Sequence, residues 1–436
     1  TTSIISESSF LSGDGSSVQD TYSINAETSF GTAKAKWLFG INDQPENWYN
    51  TPSGATLAGG PGTKSDSPNR TYFSDLQVSA PIMEKHVLTG GVSFKYNTAD
   101  SKNLTLRDYK DPESTTGEVT QWGGGVSTTY SAYLQAEISL LDSLTLFAGA
   151  RDDYWTLSDG YAGFTGTGAK SETFPEKSQN AFSPKGALVW KPIEGTTVRA
   201  SGGKAFRAPG LNQLFKSWIS SSTLTAYNSN PNMNPETVLS WDFGVEQKLW
   251  SGAKAKATYF ENHISDMIYY LTSGTSVIAG KTYTNKDYNN VGGAVSRGAE
   301  LELEQKFGKD LRLFAGYTYI DSYITEYKGD SSYVGKSLNG VPRHMINGGV
   351  DAAYGPLSAF LVGRYVSKRY NDTNTDTVGG VYGSYDEFFT ADIKTSLKAT
   401  DWATVSVSVD NILDRKYYVY YPAPGRSYFI NLALKF

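Results

Sequence analysis

The sequence predicts an all-β fold, a transmembrane antiparallel β-barrel running through all 436 residues. Three observations carry this. Apolar side chains recur at every second position along most of the chain, the period of a strand whose two faces meet different solvents. The alternating segments run to roughly 10–14 residues, longer than the usual 5–6 of soluble sheets and enough for a tilted strand to cross a bilayer. Their connections alternate between tight turns and long polar loops, the rim asymmetry of an outer-membrane barrel.

Composition agrees. Hydrophobic residues make up 39% of the chain, charged residues 19% and aromatics 14%, with 30 Tyr, 20 Phe and 9 Trp. A mean hydropathy of -0.40 suits a barrel, because lipid-facing and lumen-facing residues average out along each strand. No run approaches the roughly 18 apolar residues of a membrane helix. A net charge of -5 excludes a general nucleic-acid binder, which carries a basic footprint. Without Cys there is no disulfide, thiolate metal site or cysteine nucleophile. The opening "TTSIISESSF" has neither the basic start nor the apolar core of a signal peptide, so a processed product or a missing N-terminal part is expected.

About seventeen strands satisfy the alternation criterion. In order they are 18–29, 31–42, 70–80, 84–97, 127–140, 143–156, 179–191, 195–206, 235–249, 253–267, 293–306, 310–325, 343–354, 356–368, 386–398, 403–412 and 426–436. The pattern is plainest toward the end. "GAELELEQKF" sets Ala299, Leu301 and Leu303 against Glu300, Glu302 and Glu304. "DLRLFAGYTY" sets Leu311, Leu313, Ala315, Tyr317 and Tyr319 against Arg312, Phe314, Gly316 and Thr318. In "FTADIKTSLK", Phe389, Ala391, Ile393 and Leu397 oppose Asp392, Lys394 and Lys398, and "ATVSVSVDNI" opposes valines to Thr, Ser and Asp.

Tight turns fall at Pro81–Met83, Leu141–Asp142, Pro192–Glu194, Ser251–Gly252, Gly308–Lys309, Tyr354–Gly355 and Ala399–Trp402. Long loops are expected over 43–69, 98–126, 157–178, 207–234, 268–292, 326–342, 369–385 and 413–425. Tyr269, Tyr270, Tyr417, Tyr418 and Trp155 lie near strand ends, where an interfacial girdle places aromatics. The final strand, "RSYFINLALKF", turns Tyr428, Ile430, Leu432 and Leu434 to one side and stops on Phe436. If it runs toward the periplasm, alternation makes the first strand run the same way. A bacterial single-chain barrel has an even number of strands with both ends inside, so an odd number is expected before Thr1.

"FSPKGALVWKPIEGTTVRASGGKAFRAPGLNQLF" (182–215), followed by "NPNMNPETVLSWDFGVEQKL" (230–249), closely resembles the barrel of TonB-dependent outer-membrane receptors. "YNNVGGAVSRGAELELE", "GYTYIDSY", "VPRHMINGG" and "VSVDNILDRKYY" extend the likeness in order from about residue 127 to the end. The resemblance implies a 22-stranded barrel plugged by an N-terminal domain, importing iron-siderophores, haem, cobalamin or similar solutes with energy from TonB. Seventeen strands here leave five upstream, so 1–436 reads as the C-terminal portion of a barrel whose plug, TonB box and first strands lie outside this sequence. It further implies an integral outer-membrane monomer, not an enzyme, without a cofactor. Its partners would be the TonB complex through the plug, a small metal chelate, outer-membrane lipid and the barrel-assembly machinery. Phe436 resembles the terminal signal that this machinery reads. A ferric siderophore or other iron chelate is the expected cargo. Haem or cobalamin uptake, or a passive porin or adhesive barrel, are the alternatives.

The motif residues of the resemblance are Phe206, Arg207, Ala208 and Pro209, then Asn230, Pro231 and Asn232. In haem-importing relatives a His lies between the two boxes; here none does, and Tyr227 is the phenol of that interval. Ligand contact is expected from Lys216, Trp218 and Tyr227 on loop 207–234, and from Lys281 and Tyr283 on loop 268–292. Aromatic faces with interspersed cations suit a large, partly planar, anionic chelate. Inward charges such as Arg151, Asp153, Glu300, Glu302, Arg312, Arg364 and Lys394 are expected to line the wall around the plug. Two further patterns are weaker. "NDTNTDT" (371–377) echoes a calcium loop, but Thr377 stands where Gly is required. His86, His263 and His344 are scattered over strands, in no nucleophile motif.

Overall fold

The computed structural model describes residues 11–83, 85–166, 169–220, 224–278, 280–370, 384–419 and 421–435. Twenty-one strands share one continuous sheet, and four of them are short segments at one rim. The remaining seventeen are staves, numbered here in chain order. They are β1 Gly15–Phe30, β2 Ala33–Pro52, β3 Asn69–Ile82, β4 His86–Leu106, β5 Thr115–Leu141, β6 Leu144–Phe164, β7 Lys177–Trp190, β8 Thr196–Arg207 and β9 Glu236–Trp250. Then follow β10 Ala253–Ile278, β11 Lys281–Phe307, β12 Leu311–Tyr327, β13 His344–Tyr354, β14 Leu357–Val366, β15 Phe388–Lys398, β16 Ala403–Asp410 and β17 Ser427–Leu434.

Each stave pairs antiparallel with its sequence neighbour, from β1·β2 to β16·β17. Among the described residues the far edges of β1 and β17 have no strand partner. All the expected tight turns lie on one rim, joined by a turn at Gly31. Gly252 shows why such turns need glycine. Its φ is +77°, and a Cβ there would come within 2.2 Å of the Lys306 carbonyl oxygen.

Alternation decides the two faces. Leu301 and Leu303 remain 42% and 44% exposed although they belong to the middle of the sheet, a surface that only lipid can cover. Trp190, Trp250, Tyr354 and Trp402 mark the short-turn end of this belt, and Tyr130, Tyr154, Trp241 and Tyr259 the other. The opposite face carries the inward charges, and here the expectation is refined. Many pair within the wall: Arg151 with Asp153 at 2.9 Å, Lys256 with Glu302 at 2.7 Å, Arg312 with Glu304 at 2.6 Å, and Arg364 with Asp392. Directly opposite, diagonal and same-strand neighbours on the inner face bring opposite charges side by side, so these residues need no partner from elsewhere.

The expected loops need larger correction. The strands do not stop at the membrane rim. β4 and β5 pair through most of 98–126, β6 continues to Phe164, and β10 and β11 run on to a hairpin turn between Ile278 and Lys281. No lipid reaches these extensions; residues such as Ile268, Tyr283 and Val291 are buried while others meet water, so backbone pairing is satisfied without any apolar alternation to advertise it. Trp155 is corrected too. It is 2% exposed and shares the inner face with Arg151 and Asp153, so it is no part of a lipid-side girdle. Phe436 and 371–377 lie outside the described residues.

Candidate functional site

The longest departure from the staves is the connection between β8 and β9. Its described residues form a strap across the outer mouth. Its two ends are clamped: Arg207, last residue of β8, pairs opposite Glu236, first of β9, and their side chains form an ion pair. Glu236 also accepts the backbone N–H of Ile268 on β10.

From this clamp Ala208 and Pro209 lead into a one-turn helix, Leu211–Phe215. Leu214 is fully buried and Phe215 is 2% exposed, packed with Trp155, Leu157, Met233 and Ile268. Phe215 rests on bare backbone. A Cβ at Gly125 or Gly160 would meet its ring at 2.7 or 2.6 Å, and one at Gly123 would meet its carbonyl oxygen at 2.1 Å. These glycines of β5 and β6 are therefore a seat that no other residue can form. The cluster is a small hydrophobic core set inside an otherwise polar lumen, and Trp155 joins it with its indole N–H donating to Ser127 Oγ at 2.8 Å.

Beyond the helix, Trp218–Ser220 pairs antiparallel with Thr225–Asn228, which in turn lies parallel to β11, Thr225 opposite Thr284 and Asn228 opposite Asp287. The strap thus spans from β5 and β6 to β11. Its return leg is the "NPNMNP" box, and nearly every residue there is held. Asn230 receives the Asn232 N–H at 2.9 Å and donates its side-chain amide to the Tyr288 carbonyl at 3.0 Å. Lys177 Nζ donates to the carbonyls of Asn232 and Met233. Asn290 of β11 accepts the Asn234 N–H at 2.8 Å and donates to the carbonyls of Asn234 and Asp266. Both motif boxes are fixings of the strap.

The residues expected to meet ligand divide into groups. Trp218 and Tyr227 are cross-strand partners, their rings stacked at 3.9 Å and 8° from parallel. Tyr227 meets Tyr270 edge-on at 4.8 Å, Tyr270 lies against Tyr288 at 4.3 Å, and the row continues through Tyr269 and Tyr327 to Tyr333. The phenols knit this row together: Tyr270 donates to the Tyr288 oxygen at 2.6 Å and Tyr327 to the Tyr270 carbonyl at 2.6 Å. What the row can offer a solute is therefore ring faces. Trp218 ends it, with Tyr227 as its ring contact.

Lys216 is not beside these rings. It turns under the strap, its Nζ donating to Ser67 Oγ at 3.2 Å, and burial pulls its pKa below the usual lysine value. Tyr283 is buried on β11, while Lys281 stands exposed at the hairpin tip. The structure therefore brings Trp218 and Tyr227 together and keeps the other three apart from them. Beneath the strap a polar chamber of about 430 Å³ opens between it and the inner wall, lined in part by Lys95, Asn97, Asp100, Thr129 and Asn212.

Sequence reasoning missed Asn290, Glu236 and the glycine seat. A faint signal existed in each: a paired Asn before Val-Gly-Gly, a charged residue opening a strand, and "GGG" at 123–125 in a segment with no helical continuation.

Residues 3–412 match the family profile described as TonB dependent receptor-like, beta-barrel. The iron-regulated outer membrane virulence protein of Vibrio cholerae is 25% identical over 385 residues, covering 85% of this chain and 52% of its own length. Heme/hemopexin utilization protein C of Haemophilus influenzae is 27% identical over 315 residues, covering 67% of this chain and 40% of its own length. This chain spans about half the length of the curated relatives it matches first. Among solved structures, the ferric yersiniabactin uptake receptor of Yersinia pestis superposes with a TM-score of 0.74 at 16% identity, covering 96% of this chain and 61% of the receptor, a likeness of fold.

Proposed function

The chain belongs to the TonB-dependent receptor β-barrel family, and on that premise we propose that it serves TonB-energised uptake of a ferric siderophore or comparable iron chelate. It is an outer-membrane barrel, and in this reading the energy enters through a plug domain that this sequence does not include. The observation that carries the cargo class is the Trp218–Tyr227 stack at the end of the aromatic row. Rings already ordered by mutual packing lose little entropy on receiving a partly planar ligand. The phenols of Tyr270 and Tyr327 are engaged with neighbours, so these two act through their faces. The name of the Vibrio relative ties that protein to iron regulation, which supports iron as the load.

The test uses the full-length receptor in intact, iron-starved cells. Radiolabelled ferric siderophores are offered with and without TonB, beside a double variant Trp218→Ala/Tyr227→Ala matched for surface abundance. Uptake that requires TonB, with at least a tenfold loss of affinity in the variant, is expected; losing about 1.4 kcal/mol of contact is enough. Uptake that ignores TonB would identify a passive porin. TonB-dependent uptake of haem or cobalamin but of no siderophore would keep the transporter and replace the cargo.

A further inference from the structure

Near the far end of the aromatic row, above the low staves β14 and β15, a guanidinium is buried with no counter-ion among the described residues. The Tyr370 carbonyl beside it accepts the Gly340 N–H at 2.7 Å, and Asn339 donates to the Tyr269 hydroxyl at 2.9 Å. Arg369 and Tyr370 pair with Ser384 and Tyr385 in a two-residue ladder. Arg369 is 8% exposed. Its Nη2 donates to the Tyr418 carbonyl at 2.8 Å, and its Nε, fully enclosed, has no hydrogen-bond partner. No carboxylate among the described residues forms an ion pair with it. Two rings flank it instead, Tyr385 and Phe388, each 5.5 Å from the guanidinium carbon. Phe388 is backed by Tyr417, stacked at 4.2 Å. Burial lowers the Arg369 pKa from its usual value, and the neighbouring tyrosines only partly restore it.

A buried cation with an unmet donor is costly, because neither water nor an acid offsets its lost hydration. Structural arginines in this barrel look different: Arg70, Arg151 and Arg312 each lie against a carboxylate within 3 Å. Arg369 lies instead beside two aromatic rings, with Lys368 next to it in sequence and the Arg415 guanidinium directed at the Glu387 carbonyl.

We infer that Arg369 is an oxyanion site, and that the anion it takes is a carboxylate of a small soluble molecule. The guanidinium fork matches two coplanar oxygens, and a planar carboxylate extends the guanidinium plane beside the rings of Tyr385 and Phe388. The site is independent of the Trp218–Tyr227 stack, and it stands whether or not the cargo is an iron chelate.

The experiment follows thermal unfolding of the full-length receptor in detergent, titrated with sodium citrate, sodium phosphate or sodium chloride at matched ionic strength. Wild type, Arg369→Gln and Arg369→Lys are compared. Citrate is expected to raise the midpoint of wild type by about 2 °C or more at saturation. Arg369→Gln should lose that rise, and Arg369→Lys should need roughly tenfold more citrate, since an ammonium keeps the charge and loses the fork. If Arg369→Gln does not fold, the pair Arg369→Lys and Tyr385→Ala decides, the second removing one neighbouring ring while leaving the cation: Tyr385→Ala must still respond to citrate. Equal citrate shifts in wild type and Arg369→Gln, or none in wild type, overturn the site. A phosphate shift matching that of citrate overturns the carboxylate assignment.

Discussion

β11 passes through two solvents, and its two halves obey different rules. Between Ala299 and Leu303 it alternates apolar and acidic residues without exception. From Lys281 to Asn290 it reads Lys, Thr, Tyr, Thr, Asn, Lys, Asp, Tyr, Asn, Asn, with no period at all. Yet the same antiparallel ladder to β10 runs the whole way, with small register shifts near Ile264 and Thr272. The difference teaches what alternation reports. It is a signature of a strand dividing lipid from lumen, and it vanishes beyond the lipid belt, although the hydrogen bonds persist. Of the 27 residues in β11, roughly 10 cross the bilayer, so most of the strand lies in the silent regime.

The comparison breaks most sharply where the upper region has a core of its own. Phe215→Ala removes a ring seated on two glycines and should cost the strap about 3–5 kcal/mol, the usual loss for a buried aromatic. Limited proteolysis of the full-length receptor in membranes is expected to cut within 208–235 while the staves stay resistant. A strap as resistant as wild type would show that the seat holds nothing.

A charge placed in each regime sharpens the contrast. Leu301 faces outward seven residues from the turn at Gly308, about 16 Å up a strand tilted near 45°, close to the bilayer centre. Leu301→Arg should destabilise the barrel by about 2–4 kcal/mol. Thr275→Arg, on the exposed upper part of β10, should stay within about 0.5 kcal/mol. Denaturant titration of refolding into lipid vesicles reads both, and equal costs would refute the division drawn through β10 and β11.

The smallest effect concerns Lys216. Its folded pKa is depressed from 10.5 by burial, so the docked strap binds fewer protons than the released one between the depressed value and 10.5. Docking should therefore strengthen as pH rises through that window and carry the full desolvation cost below it. Proteolytic protection of the strap should rise with pH in wild type and stay flat in Lys216→Met, which keeps the stem and discards the charge. An identical slope in both would assign the titration elsewhere.

These two regimes also account for what the sequence disclosed. The count of staves, the short-turn rim and the facing of Leu301 or Glu302 were legible because each follows from period two. The upper halves of β4, β10 and β11 were not, since polar paired strands and polar loops share a composition. Lys216, Trp218 and Tyr227 fell on one segment, but only the fold separates a buried strut from an aromatic stack. Asn290 was invisible for a related reason: a latch that bonds carbonyls of Asn234 and Asp266 depends on three distant segments meeting. Trp155 misled because a bulky aromatic near a strand end suits a girdle and an inner core equally, and the residue count from the turn decides between them.

The clamp of Arg207 with Glu236 has a consequence for change over time. It closes the strap at its base, where the last pair of one stave register meets the first of the next. The described residues between Arg207 and Glu236 are anchored to the barrel at the glycine seat, Lys177, Asn290 and the ladder of Thr225–Asn228 to β11, and to nothing in the lipid belt. Residues such as Trp218 and Tyr227 can therefore be exchanged by drift or selection while the membrane wall keeps its register. In the uptake reading proposed above, a change of cargo would be met by re-writing the residues between these two borders, and the wall that carries them would not need to change.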